Sequence, residues 1–350
     1  MDETAGPKPN VVLLVAGALR PDRIGCYGAV PAATPFIDAL ATEGVVADAM
    51  FCSALPASAA FAGMLSGQHP INLGFGPARD VPDLPFGTTL LPEVFLGAGY
   101  LTCTFDNLRR ENHWLGRGSE FYVDPSLRYG RNATCREMNL LLKPWLQTNA
   151  GERFFLTVHY RGGEGAEAVD QAVGEVLAAL ASLRLKQKTL LVIHADCGAP
   201  EGLGERDLRT PLILSWPGRV SAGTRMPQLF QTEDLAPTLL EAAGLEVPSS
   251  FEGRSFWQLA AGTATDGGRN RVISVDCTTL ERSSIRTPGQ RLNLSGTSRE
   301  LYDAASGRVE ENDVALEQPA AASALEQELR GWITERLAER ERNEALFAEI

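Results

Sequence analysis

The sequence predicts an α/β fold: an open parallel sheet with helices on both faces, followed by a small antiparallel unit and a closing helix. Three observations carry this expectation. Residues 10–15, from Asn10 to Val15, form a continuous apolar run, as a central parallel strand buried on both faces requires. Short β-type runs alternate with helical patterns as far as Gly262. Beyond it the composition shifts to short strands separated by turn residues.

In chain order, the first strand is followed by a helix over residues 34–43, where Phe36, Ile37, Leu40 and Ala41 share a face and Gly44 is the stop. Residues 101–105, 154–159 and 190–194 read as further strands. Residues 169–183 read as a helix between two of them, and residues 211–215 as another short strand. Strand, helix, strand in this order builds a parallel sheet, because a parallel connection needs a crossover. Past Gly262, residues 271–277, 285–294 and 300–303 read as antiparallel strands. The last helix aligns Leu325, Leu329, Trp332, Ile333 and Leu337 on one stripe and becomes highly charged from Glu339. Such a stripe is first a docking face for its own domain and second a surface for self-association or a partner. Two units follow, residues 1–262 and 263–350.

The 350 residues include 32 basic and 44 acidic side chains, a net charge of −12, with 44% hydrophobic residues. A chain of this size and composition buries a core without disulfides or structural metals. It has no basic block, which excludes nucleic acid or an anionic membrane surface as its main partner. On composition alone the acidity would suit a cation-binding hydrolase. The N-terminus is acidic where a signal peptide is basic, and no run approaches the ~20 apolar residues of a membrane span. Six cysteines are scattered without a CxxC pair. The expectation is a cytoplasmic protein with reduced thiols, in which the sequons at Asn132 and Asn293 carry no weight.

Ordered motifs sharpen this picture. Residues 10–28 run an apolar strand into Leu19-Arg20 and then Gly25, Tyr27 and Gly28. Thr34 to Gly44 follows, then Ser66-Gly67 with Pro70, Gly99-Tyr100 with Thr102, a strand running to Gly198, Arg209 to Ile213, Trp216 to Val220, Asp234 to Leu240, Gly253 to Ser255, and Leu301 to Asp303. In this order they resemble the sulfatase family of the alkaline phosphatase superfamily, from about residue 9 to the C-terminal helix. The resemblance implies a mixed, mostly parallel sheet sandwiched by helices, with a small C-terminal antiparallel sheet and helix.

It also implies a site. A sulfate or phosphate ester must be neutralised before attack, so the family holds a divalent cation on oxygen ligands at the strand ends. Its nucleophile sits at a helix N-terminus beside an arginine, in the pattern C-x-P-x-R. Here the strand-end acids fall on Gly17 and Ala18. The C-x-P-x-R positions carry Ala57, Ser58, Ala59, Ala60 and Phe61, so nucleophile, proline and arginine are all replaced. Of the later Asp-His pair, Asp196 stands but the histidine position holds Cys197. The loop after His159 is short, and the ten residues between Gly198 and Arg209 contain neither His nor Lys. One carboxylate cannot hold a hard dication that takes ~6 oxygens. Losing a covalent nucleophile alone costs ~10⁴–10⁶ in turnover.

Each remaining candidate has a plain reading. Ser58, beside the lost nucleophile, is expected to be a helix cap. His194, Asp196 and Cys197 offer three zinc-ligand types, but on a strand His194 and Asp196 would share a face that Cys197 leaves. Asp196 is expected to cap a loop amide. His159 and His194 are expected to be satisfied buried imidazoles in a pocket with Arg20, since no acid is predicted beside them. Arg20 and Asp22 fix a loop, and Arg109, Arg110 and Glu111 form a solvated face. The resulting expectation is a sulfatase-like pseudoenzyme without a cofactor, acting as a binding, scaffold or regulatory subunit, with an intact sulfatase-family protein as candidate partner. The alternative is an active metal-dependent hydrolase rebuilt around Asp196 and carrying a divalent cation.

Overall fold

Every residue of the first strand, β1 (Asn10–Ala16), is buried, because both faces of the sheet it centres are covered. The structure is a computed structural model that describes residues 8–77, 83–85, 87–106, 108, 112–161, 163–198, 202–304, 310 and 312–348, with side chains as far as 343. After β1 come α1 (Pro35–Glu43), β2 (Val45–Phe51), β3 (Ala54–Leu55), α2 (Ala57–Ser66), α3 (Leu91–Gly97), β4 (Leu101–Phe105), β5 (Phe121–Val123) and α4 (Ser126–Tyr129). Next are α5 (Cys135–Thr148), β6 (Phe154–Tyr160), α6 (Ala166–Ser182), β7 (Thr189–His194), α7 (Glu205–Leu208), β8 (Arg209–Ser215) and β9 (Thr224–Gln231). The chain continues through α8 (Leu235–Ala242), α9 (Trp257–Ala260), β10 (Val272–Asp276), β11 (Arg282–Arg286), β12 (Gln290–Ser295), β13 (Ser298–Asp303) and α10 (Pro319–Ala348).

The large sheet has the order β5-β4-β6-β1-β7-β8-β2-β9. Its pairings are parallel except where β8 runs against both β7 and β2. The architecture is therefore mixed and mostly parallel, with helices on both faces. Side-chain alternation along β1 divides the core. Val11, Leu13 and Val15 join a cluster with α2, α3 and α8, whereas Val12, Leu14 and Ala16 join one with α1, α5 and α6.

Strands β2 and β9 escaped the periodicity reading. Asp48 interrupts β2, and a bulge shifts its register there. Edge strand β9 tolerates Pro227, which a central strand would not. The single strand expected over residues 285–294 is instead a hairpin of β11 and β12. Pro288 and Gly289 interrupt it; across the turn the Thr287 N–H donates to the Gln290 carbonyl and the Gln290 N–H donates to the Thr287 hydroxyl.

The small sheet has the order β13-β12-β11-β10-β3, and its last strand comes from far upstream. Ala54 and Leu55 pair in parallel with Val275 and Asp276, which ties the start of α2 to the C-terminal unit. Helix α10 lays its apolar stripe on the same side. Leu325 and Leu329 belong to the larger core cluster, with Trp332, Ile333 and Leu337 packed against it. The buried part of the stripe, Leu325 and Leu329, packs within the chain's own core, while Trp332, Ile333 and Leu337 are half-buried. Among the described residues, no helix is long and apolar enough to cross a membrane.

Candidate functional site

The parallel strands deliver three ionisable side chains to one point at their C-terminal ends, where open α/β sheets place their sites. Asp106 is the first residue past β4, His159 is the penultimate residue of β6, and Asp196 lies two residues past β7. His159 Nδ1 is 2.9 Å from Asp106 Oδ2, and its Nε2 is 3.5 Å from Asp196 Oδ2. All three are buried; His159 is only 4% exposed. Burial alone would favour a neutral imidazole, but the two carboxylates outweigh it and raise His159 to about 10. His159 therefore holds its proton as an imidazolium beside Asp106 and Asp196. The expectation that no acid stands beside His159 is overturned, because sheet register brings together residues remote in sequence.

Asp196 has few free lone pairs. Its Oδ1 accepts the backbone N–H of Ala18 at 3.1 Å and of Cys197 at 2.7 Å. Burial opposes its ionised form, yet His159 and these two amides outweigh it and hold the carboxyl below its usual range. Ala18 adopts φ 56°, a left-handed conformation that directs its amide to the carboxylate. Asp106 accepts from the Leu108 amide and, at 3.2 Å, from the Tyr122 hydroxyl.

Phe61 closes the triad from above. Its ring lies 5.0 Å from the His159 ring, tilted by 51°, and it is 3% exposed within the larger core cluster. Ala57 begins α2 and packs beside Cys52 and Ala60. Pro56 is the N-cap of α2 and supplies no side-chain bond. Ser58 therefore sits inside the first turn, and its expected role as a cap is not met.

The other candidates disperse. His194 Nδ1 faces the Pro211 carbonyl at 2.9 Å, and burial lowers its pKa to about 4. Cys197 joins a separate apolar cluster with Cys52 and Leu203, where burial and then the Asp196 charge push its thiol far up. The zinc grouping of His194, Asp196 and Cys197 is thereby dissolved: β7 ends at His194, so strand alternation does not govern the residues after it. A cleft of about 670 Å³ opens just outside, lined by Gly17, Ala18, Arg20, Arg23, Arg161 and Gly198 among others. Arg20 stands there in an ion pair with Asp22 at 2.8 Å, whereas His159 and His194 do not line it. Arg109, Arg110 and Glu111 lie outside the described residues.

Known proteins match this framework. The sulfatase family model fits residues 9–166, and the model for the C-terminal part of N-sulphoglucosamine sulphohydrolase fits residues 203–274. Over these two segments the chain is similar to the sulfatase family. N-acetylgalactosamine-6-sulfatase of Sus scrofa is 25% identical over 70% of this chain and 64% of its own length. Arylsulfatase A of Homo sapiens is 26% identical over 73% of this chain and 68% of its own length. The chain thus spans less than two-thirds of the length of the galactosamine sulfatase. In structure, phosphonate monoester hydrolase of Agrobacterium radiobacter has a TM-score of 0.76 at 18% identity, covering 96% of each chain. A 2-O GAG sulfatase has a TM-score of 0.78 at 19% identity, covering 94% of this chain and 92% of its own. At these identities the structural likeness shows the fold.

Sulfatase resemblance implied a divalent cation, and the donor set does not fit one. Gly17 and Ala18 bring no side-chain oxygen, Asp196 is engaged by two amides and a cation, and Cys197 is packed away. Among the described residues, no group of three His, Cys, Asp or Glu side chains is placed to hold a metal. A dication beside His159 would also have to displace the positive charge already there.

Proposed function

We propose that this sulfatase-like chain binds without hydrolysing: it is a pseudoenzyme that serves as a binding, scaffold or regulatory subunit. The observation that carries this reading is the Asp106–His159–Asp196 triad sealed beneath Phe61. An imidazolium there lies 3.5 Å from Asp196, whose Oδ1 already takes two backbone amides. Buried carboxylates paired in this way offer few free lone pairs to a cation. The alanine at the nucleophile position and the phenylalanine at the arginine position point the same way.

The cleft beyond Ala18 supports the binding half of the proposal. Arg20, Arg23 and Arg161 line it together with Asp22, Glu164 and Glu167, so it would take a polar ligand of mixed charge. The ligand would meet this surface without reaching a nucleophile.

The test is turnover. Purified protein is assayed on aryl sulfates, phosphodiesters and phosphonate monoesters with Ca²⁺, Mg²⁺, Mn²⁺ or Zn²⁺, and metal content is measured in parallel. The expected result is background hydrolysis and substoichiometric metal. Hydrolysis abolished by Asp196→Ala, together with a stoichiometric cation, would sink the proposal and establish a rebuilt hydrolase.

A further inference from the structure

A second cavity, of about 390 Å³, lies between β10 and α10. It shares no lining residue with the cleft at the strand ends. Its floor is formed by Gln231, Glu233 and Ile273, and one wall by Trp332, whose ring meets that of His69 edge-on at 4.7 Å. Arg269, Arg336 and Glu252 line its sides, and Arg254 and Arg271 its mouth.

Two groups in this cavity lack what their chemistry requires. Glu233 is only 3% exposed, and its Oε2 has no hydrogen-bond partner among the described residues. A buried carboxylate oxygen without a donor is costly, and burial accordingly pushes the Glu233 carboxyl up. Its Oε1 reaches Arg269 only at 3.7 Å, because that guanidinium is committed to Asp234 at 2.5 and 2.7 Å. At the mouth, Arg254 has no ion-pair partner among the described residues. Its backbone is held in place: the Arg254 N–H donates to Asp234 at 2.6 Å, and Gly253 lies so close to the Glu233 carbonyl that a Cβ there would collide with it. The other cations are engaged: Arg336 with Glu252 at 2.8 Å and Glu339 at 3.0 Å, and Arg271 with Glu328.

We infer that this cavity is a binding site for a small zwitterion carrying an ammonium and a carboxylate. The ammonium donates to Glu233 Oε2 at the floor, and the carboxylate takes the Arg254 guanidinium at the mouth as a two-pronged pair. Trp332 offers an apolar wall to the carbon chain between them. A simple anion would face Glu233 and Glu252, and a simple cation would face Arg269 and Arg336. A ligand with separated charges of both signs meets neither repulsion. The inference stands independently of whether the strand-end site turns over.

Calorimetric titrations with glycine, 5-aminovalerate and L-lysine test it, with acetate and methylammonium as single-charge controls. The amino acids are expected to bind more tightly than either control. Glu233→Gln is nearly isosteric and should weaken amino-acid binding roughly tenfold or more while leaving acetate unchanged. Arg254→Ala, at an exposed position, should weaken amino acids and acetate alike. Quenching of tryptophan fluorescence on titration should disappear in Trp332→Phe, while the heat of binding remains. The inference is overturned if no amino acid binds at millimolar concentration, if a control binds as tightly as the amino acids, or if both charge substitutions leave binding unchanged.

Discussion

At the residue scale, His159 is the side chain on which the interior of the strand-end site depends. Its replacement by Gln strands two buried carboxylates without a compensating charge, and breaking a buried pair in this way costs about 3–5 kcal/mol. We expect His159→Gln to lower the melting temperature sharply, and the added substitution Asp106→Asn to restore part of the loss. Calorimetry on the single and double variants checks this. The pH dependence follows from signs. The folded pKa of His159, about 10, lies above its unfolded value of 6.5, so its contribution is complete below 6.5 and is lost as pH rises through about 10. Asp196 is shifted down, so its contribution is present above 3.8 and is lost as pH falls below that value. Stability measured from pH 6 to 10.5 should therefore decline in the wild type and stay flatter in His159→Gln. A wild-type curve as flat as the variant's would refute the charged triad. Asp106 had no sequence signal of its own, because nothing in local spacing links residues 106, 159 and 196. Asp196 and Phe61 were legible because each falls at a fixed count from a motif.

At the element scale, helices α2 and α10 decide most. Phe61, placed by α2 against His159, fills space that Phe61→Ala would empty at a cost of about 3–5 kcal/mol, read as a lowered denaturation midpoint. On α10, Leu329 is fully buried, so Leu329→Ala should cost about 2–5 kcal/mol. If the stripe were a partner surface on a self-sufficient body, the same substitution would leave the isolated protein's midpoint unchanged. The helical stripe was legible from its 3.6-residue spacing, but its occupant was not. A hydrophobic face specifies that it must be covered, and only the tertiary structure says by what. The hairpin of β11 and β12 teaches a similar lesson. Alternation ran across it, and the Pro288-Gly289 turn should have weighed more than the pattern on either side.

At the scale of the whole molecule, charge and metal part company. The net charge of −12 lies mainly at the surface, and at the strand-end site an imidazolium from within the chain stands between the two carboxylates. Folding should therefore not depend on a cation. Dialysis against a strong chelator should leave the melting temperature unchanged, and adding Ca²⁺ or Mg²⁺ should not raise it. A rise that saturates with cation concentration would show a site that binds the folded state and would contradict the triad's role.

The sequence by itself carried a resemblance to the sulfatase family and the order of most strands and helices. These follow from local periodicity and from residue counts along the chain, which need no third dimension. Only the tertiary structure decided that Asp106 and Asp196 share His159, that His194 and Cys197 turn elsewhere, and that α10 covers the core. Register and crossover connections bring residues from distant segments within 3.5 Å, and no pattern local to any one segment encodes such a meeting.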